Sequence, residues 1–273
     1  NNHFKNLFLE KKKYSIHLIS NIVVNQLTEI LEYYVRDKTI PGEVSVGNYD
    51  NIIQESHKKA DYNLLIIFWE ISNYLDGLHY KADVMSKDQL IKLEEKIIHE
   101  IELVFKYLKN SSLVLFNKFS SLIFNHSSPF YSELNGMVKR LNSYIEKKKL
   151  KNFHFIDIDK VIANVGISNS VDFRYYYSSK ALYTINFYKA YSELILPHIL
   201  AANGRKKKAL ILDCDNTLWK GVIGEDGLDK INLSSNDPKG KIFNEIQNLV
   251  LALKKNQGVL LGLCSKNNST DVD

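Results

Sequence analysis

Asp213 and Asp215 stand two residues apart at the end of the apolar run "ALIL", with Cys214 between them. On an extended backbone residues two apart share a face, so the two carboxylates point one way and Cys214 the other. At the carboxyl end of a parallel strand they project into the crevice where α/β folds bind ligands. Two carboxylates that close repel each other unless protons or a divalent cation compensate. Mg²⁺ is the natural cation, because it prefers hard oxygen ligands and accepts phosphate oxygens as co-ligands. One carboxylate can then attack phosphorus as a nucleophile, while the other moves a proton to the leaving group and from water. Taken alone, the D-x-D spacing is equally an Asp-rich turn after a strand, with Asn216 capping it.

The elements that must position these residues follow from hydrophobic spacing. Apolar runs alternate with amphipathic helices, the pattern of an α/β fold with a largely parallel sheet. "YSIHLIS" reads as a first strand, "VVNQLTEILEYYVRD" as a helix and "DYNLLIIFWEI" as a second, buried strand. Lys87 to Asn110 places Leu90, Leu93, Ile97, Ile101, Val104 and Leu108 three or four apart, giving one apolar stripe opposite a charged face. "SLVLF" and "FHFIDID" supply further strands around the helix-like "SELNGMVKRLNSYIEKKKL", and Ser179 to about Ala202 reads as one long helix. A break is expected at "AANGRKKK". Beyond it the order restarts: a strand at Ala209–Leu212, a glycine-containing loop, a helix from about Lys239 to Asn256, the strand "GVLLGLC", and a helix start in "NNSTDVD". The expected architecture is two tandem three-layer α/β units, residues 1–203 and 204–273, the second truncated because some seventy residues are too few for a full doubly wound sheet.

Composition limits what the motif can mean. The 273 residues are 45% hydrophobic and 25% charged, with no apolar run near the ~20 residues that span a bilayer. Neither membrane insertion nor a secretory leader is expected, and a cytoplasmic location is the default. Two cysteines lying 50 residues apart in apolar runs suit reduced thiols. The net charge of +5 gathers at Lys11–Lys13, Lys147–Lys149 and Arg205–Lys208, without interleaved aromatics, so no nucleic-acid partner is expected. These runs are solvated element ends, or they attract an anion such as a phosphorylated metabolite or an acidic carrier protein.

The longer stretch "LDCDNTLWKGVIGEDG" resembles the D-x-D-x-T signature of the haloacid dehalogenase (HAD) superfamily, and its extension resembles the FkbH-like branch. "GVLLGLCSKNN" is similar to that branch's second motif, in which a strand ends in a phosphoryl-binding serine or threonine. The resemblance is strong over Lys208 to Asp273. It implies a HAD-like, Rossmannoid second unit after an amino-terminal unit similar to SGNH hydrolases, and it implies Mg²⁺ as cofactor. Asp213 would be nucleophile and metal ligand. Asp215 would be general acid/base and a metal ligand through its backbone carbonyl. Thr217, Ser265 and Lys266 would form the substrate-binding set, Thr217 supporting the loop and Ser265 meeting the phosphoryl oxygens. Trp219 and "GVIGEDG" would form a flap, or Trp219 would pack the turn. Lys220 and Cys214 depart from the branch's usual glycine and aliphatic residue. The branch's lysine motif and final acidic motif have no counterpart before Asp273, so this stretch is expected to be catalytically incomplete.

Members of the branch load a glyceryl unit from a bisphosphorylated glycerate onto an acyl carrier protein, with dephosphorylation, in polyketide-type pathways; relatives occur in surface-glycan pathways. The implied function is therefore a phosphatase and acyl-loading enzyme acting on a phosphorylated small molecule. Cys264 is either the acyl-accepting thiol or a small residue completing a buried strand.

In the first unit Ser20, Gly47, Asn48 and Asn73 occupy places where SGNH chemistry needs a nucleophile and oxyanion donors. The late acidic segment reads "DFRYYYSSK" where D-x-x-H would supply the base, and neither His154 nor His198 replaces it. An active esterase or acetyltransferase at Ser20 is the lesser reading. A degenerate scaffold, or a noncatalytic module that binds a carrier protein, is the greater.

Overall fold

The structure, a computed structural model, describes residues 12–58, 61–75, 80–125, 132–148, 150–234 and 236–267. Lys11, Lys149, Asn268 and, apart from Asn267, the expected helix start in "NNSTDVD" lie outside the described residues. The chain divides into two compact units, Asn1–Asn203 and Gly204–Asp273.

The first unit is built on a five-stranded parallel sheet in the order β2-β1-β3-β4-β5. Its strands are β1 (Tyr14–Ser20), β2 (Gly42–Val46), β3 (Leu64–Phe68), β4 (Val114–Asn117) and β5 (Phe153–Ile156). The helices are α1 (Asn25–Asp37), α2 (Ile52–His57), α3 (Lys87–Leu108), α4 (Glu133–Lys147), α5 (Ile158–Val165) and α6 (Ile185–Ala202), with shorter turns between them. α6 packs on α1 and α5, whereas α3 packs on α2 and α4, so one helical layer covers each side of the sheet. Strands buried from both sides read as continuous apolar runs, which is why "LLIIF" is buried at every position.

The sequence marks several boundaries. Ser86 accepts the Gln89 N–H while Gln89 Oε1 accepts the Ser86 N–H, a reciprocal cap that starts α3. Along α3, Leu90, Ile97, Ile101, Val104 and Leu108 are buried, as the stripe requires. Two expectations are corrected. In chain order β2 comes between the strands expected as first and second, but in the sheet it is a short edge strand, only Gly42 of which is buried, and so carries no apolar run. The single helix expected from Ser179 is two, because Lys180 adopts a left-handed φ of 58° that ends a turn at Phe173–Ser179, and Thr184 then caps α6 by accepting the Phe187 N–H.

At the carboxyl end of β3, Glu70 is buried beside Asn21, whose side chain bonds both the Glu70 N–H (2.7 Å) and C=O (2.8 Å). Tyr183 donates to Glu70 Oε1, and Oε2 has no hydrogen-bond partner among the described residues. Burial, with a lesser push from the Asp159 charge, raises this carboxyl to about 8 against the Tyr183 hydrogen bond. The folded protein therefore keeps a proton that the unfolded chain releases near 4.5, and stability falls as pH rises between those values. Glu70→Gln is expected to flatten this loss, so that the variant melts above the parent at about pH 8 but not at about pH 5. Thermal unfolding at both pH values checks it; parallel curves for the two proteins would refute it.

The second unit pairs β6 (Ala209–Leu212) with β7 (Leu260–Leu263) in parallel, joined through a loop and α7 (Pro238–Gln257). Asp237 caps α7 by accepting the Lys239 N–H, Pro238 sits in the first turn, and Gly258 (φ 66°) closes it. β6 alternates exposed with half-buried residues and β7 is half-buried only at its two central residues, leaving Ile211, Leu260 and Leu263 largely open. No helix among the described residues is long and apolar enough to cross a membrane.

Candidate functional site

The site is assembled where β6 and β7 end side by side. Leu212 pairs with Leu263, so the next residues, Asp213 and Cys264, leave the sheet together, and the Cys264 N–H still bonds Leu212 O at 2.8 Å. Asp213 is exposed, and its Oδ1 accepts the Cys214 N–H at 2.8 Å. Cys214 itself is fully buried on the opposite side, as alternation requires.

The chain then turns tightly. Cys214 O accepts the N–H groups of Thr217 (3.1 Å) and Leu218 (2.8 Å). Asn216 takes a left-handed φ of 50°, which asparagine tolerates, and its side chain accepts the Gly221 N–H at 3.2 Å. The fold-back brings Trp219 and Ile223 to Asp215, whose Oδ1 accepts the indole N–H at 3.1 Å and the Ile223 N–H at 3.2 Å. Its Oδ2 accepts from Asn267 Nδ2 at 2.8 Å, across 52 residues of sequence. Partial burial pushes this carboxyl upward, yet the Asn267 amide, the Ile223 N–H and the Trp219 indole together hold it below the ordinary aspartate value. Asp215 is thus an ionised carboxylate fixed by three donors. α7 is tied to the same turn by Gln247, which donates to Leu218 O at 2.8 Å.

The second motif folds back similarly, with Ser265 Oγ accepting the Asn267 N–H at 3.1 Å. Ser265 and Thr217 are half-buried, and Lys266 is exposed. Cys264 is exposed, which corrects the reading of it as packing in a buried strand. Two contributions escaped the sequence: Asn267 as the residue that joins the motifs, and the Trp219 indole as a donor to Asp215. The signal for the first was an amide two residues beyond Ser265. Asn267→Ala removes the shorter of the side-chain bonds to Asp215, and the Asp215 titration, followed by carboxyl NMR, is expected to move upward; an unmoved midpoint would show that this bond does not hold the charge.

Among the described residues no three His, Cys, Asp or Glu side chains gather closely enough to hold a metal by themselves. The exposed Asp213 carboxylate is a hard-oxygen donor of the kind Mg²⁺ takes, since that ion retains several waters around one or two carboxylates. The Asp215 carboxylate does not compete for it, both oxygens being committed to N–H donors.

In the first unit, Ser20 is buried, and its Oγ accepts the Ile22 N–H at 3.1 Å; no imidazole meets it among the described residues. His154 and His198 lie against each other, with ring centroids 4.9 Å apart. Gly47 and Asn48 direct their N–H groups to Leu18 O and Glu55 Oε1, away from an oxyanion role.

No family model matches this chain, and no curated protein does. The crystal structure of the N-terminal part of the protein BF1531 from Bacteroides fragilis, containing a phosphatase domain and complexed with Mg, is similar with a TM-score of 0.78 at 22% identity, over 98% of this chain and 74% of that one. That likeness shows a shared α/β fold. BT4096, a gut microbial diltiazem-metabolizing enzyme, gives 0.46 at 12% identity over 74% of this chain and 49% of its own. The salicylyl-acyltransferase SsfX3 from a tetracycline biosynthetic pathway gives 0.40 at 10% identity over 71% and 56%.

Proposed function

We propose that the protein is a Mg²⁺-dependent phosphatase of the HAD type, in which Asp213 is the nucleophile and Asp215 the proton carrier. The observation that carries this reading is the grip of Asn267 on Asp215, which draws the loops after two adjacent parallel strands into one constellation beside an exposed Asp213 carboxylate. A phosphatase domain with Mg on a similar fold supports it.

Asp213 attacks phosphorus, the ester P–O bond breaks, and the departing oxygen takes a proton that Asp215, ionised in the resting site, has gained from solvent as the phosphoryl anion binds beside it. Water then attacks the aspartyl phosphate while Asp215, now a carboxylate, receives its proton, restoring the enzyme. The Mg²⁺ supplies charge neutralisation at the phosphoryl oxygens. Ser265 and Lys266, on the loop after β7, bind those oxygens, and the Trp219 turn orients Asp215.

The finer proposal is glyceryl loading. Cys264 Sγ would attack the carbonyl of an acyl phosphate of a glycerate-like substrate, expelling phosphate, and the acyl group would pass to a carrier-protein thiol. Its exposure beside Asp213 at the strand ends favours this over a packing role. The full-length protein, with Mg²⁺, a bisphosphorylated glycerate and a holo-carrier, is read by intact-protein mass and phosphate release. A three-carbon acyl gain on the carrier, lost in Cys264→Ala, is the expected result. Phosphate release without acyl gain leaves the phosphatase alone; neither product overturns both and leaves a noncatalytic carrier-binding module.

A further inference from the structure

In the first unit three side chains with nucleophilic and proton-transfer chemistry meet outside every motif considered above. His17 on β1 and Ser45 on β2 are register partners, so their side chains stand on one face of neighbouring strands. Ser45 Oγ lies 2.8 Å from His17 Nδ1, against 3.4 Å from its other acceptor, Ile16 O. His17 Nε2 faces Glu55 Oε2 of α2 at 3.7 Å. Both His17 and Glu55 side chains are more than nine-tenths buried, whereas Ser45 is exposed at the edge strand of the sheet.

The partners fix the proton positions. Glu55 is held ionised: burial pushes its carboxyl up, but Lys58, the Asn48 N–H and His17 outweigh it. Its Oε1 accepts from Lys58 at 2.6 Å and from the Asn48 N–H at 3.0 Å, which leaves Oε2 for the imidazole. A carboxylate at Nε2 calls for the tautomer with its proton there, so Nδ1 keeps a lone pair for the Ser45 hydroxyl. Tyr62 stacks on the ring at 4.3 Å and 4°, locking its plane. Gly47 leaves the room this needs, since a Cβ there would lie 2.9 Å from Glu55 Cγ. Nucleophile, base and orienting acid are recognised by such roles and not by position in the chain.

The geometry points to Ser45, His17 and Glu55 as a nucleophilic relay that opens Ser45 Oγ to acyl donors, carboxylic esters or thioesters, at the free edge of the amino-terminal sheet. Ser45 Oγ adds to the carbonyl carbon as its proton moves to His17 Nδ1. The C–O or C–S bond breaks, and the departing alcohol or thiol takes that proton. Water, deprotonated by His17, then releases the acid and regenerates the serine. Glu55 acts on Ser45 only through the imidazole and is a positioning residue. The groups facing His17 are Ser45 from β2, Glu55 from α2, Lys58 just after it and the Tyr62 ring. Burial lowers the imidazole, and the Lys58 charge adds to this, against the opposing pull of Glu55, which keeps His17 a neutral base.

A fluorophosphonate tests the proposal, because Ser45 Oγ attack on phosphorus expels fluoride and leaves a stable adduct for peptide mass analysis. Expected is an adduct on Ser45 that Ser45→Ala abolishes and Ser20→Ala retains. His17→Gln should slow its formation at least about a hundredfold. In the parent protein the rate should fall as pH is lowered through an inflection below the ordinary imidazole value. Glu55→Gln should move that inflection lower still. An unmodified Ser45 in folded protein, or a rate without the inflection, overturns the relay and leaves a satisfied core histidine. The parent's pH profile decides even where His17→Gln fails to fold. An inflection that Glu55→Gln leaves in place also overturns it, by removing the orienting acid.

Discussion

Replacing Asp213 by asparagine is expected to abolish Mg²⁺-dependent phosphate release by the full-length protein, with a loss of at least about a thousandfold. An amide is a poor nucleophile toward phosphorus and brings no charge for the cation. The fold should be untouched, because Asp213 is exposed and its one hydrogen bond, accepted from the Cys214 N–H, is equally available to an asparagine Oδ1. Phosphate release and a melting curve on the same sample separate these effects. Activity within tenfold of the parent, with an unchanged melt, would remove Asp213 from the chemistry.

The second large effect concerns stability. Phe68, the last residue of β3, is fully buried among four aromatic rings: Tyr191 at 5.3 Å, Tyr183 at 5.4 Å, Phe187 at 6.2 Å and Tyr188 at 6.4 Å, all edge-on. Tyr191 is fixed in turn by its hydroxyl, which donates to Asn117 Oδ1 at 2.8 Å. Rings held by such bonds cannot slide into a void, so Phe68→Ala should destabilise the first unit by about 3–5 kcal/mol, in the upper range for truncating a core aromatic. Urea unfolding followed by tyrosine fluorescence measures it; a loss below about 1 kcal/mol would mean that α6 collapses onto β3.

Much of this architecture was legible because burial on two faces writes itself into sequence as unbroken apolar runs. β3 is of that kind, whereas the stripe of α3 was legible by its spacing of three or four residues on one face. β2 was not, since an edge strand needs no such run, and "GEVSV" carries a glutamate and a serine within five residues. The interruption between Ser179 and Ile185 was hidden in the same way, because tyrosines and leucines continue across it while the backbone turns left-handed at a lysine. At the candidate site, the position of Asp213 and Asp215 past a strand could be read from spacing. The ligation of Asp215 by Asn267 could not, for it depends on where β7 ends relative to β6 and not on any local pattern. The Ser45–His17–Glu55 contact was equally silent, being a cross-strand register fact within an element that the apolar pattern does not announce.

Position within the five-stranded sheet sets how its strands exchange their amide hydrogens. In β3, between neighbours on both sides and without exposure, amides can reach solvent only when the whole unit unfolds, and their exchange should report its global stability. In β2, paired on one side only and with alternate side chains exposed, a small local opening suffices. Deuterium uptake should therefore reach the amides of β2 before that of Ile66, and Ser45 rides on the margin of the sheet that opens first.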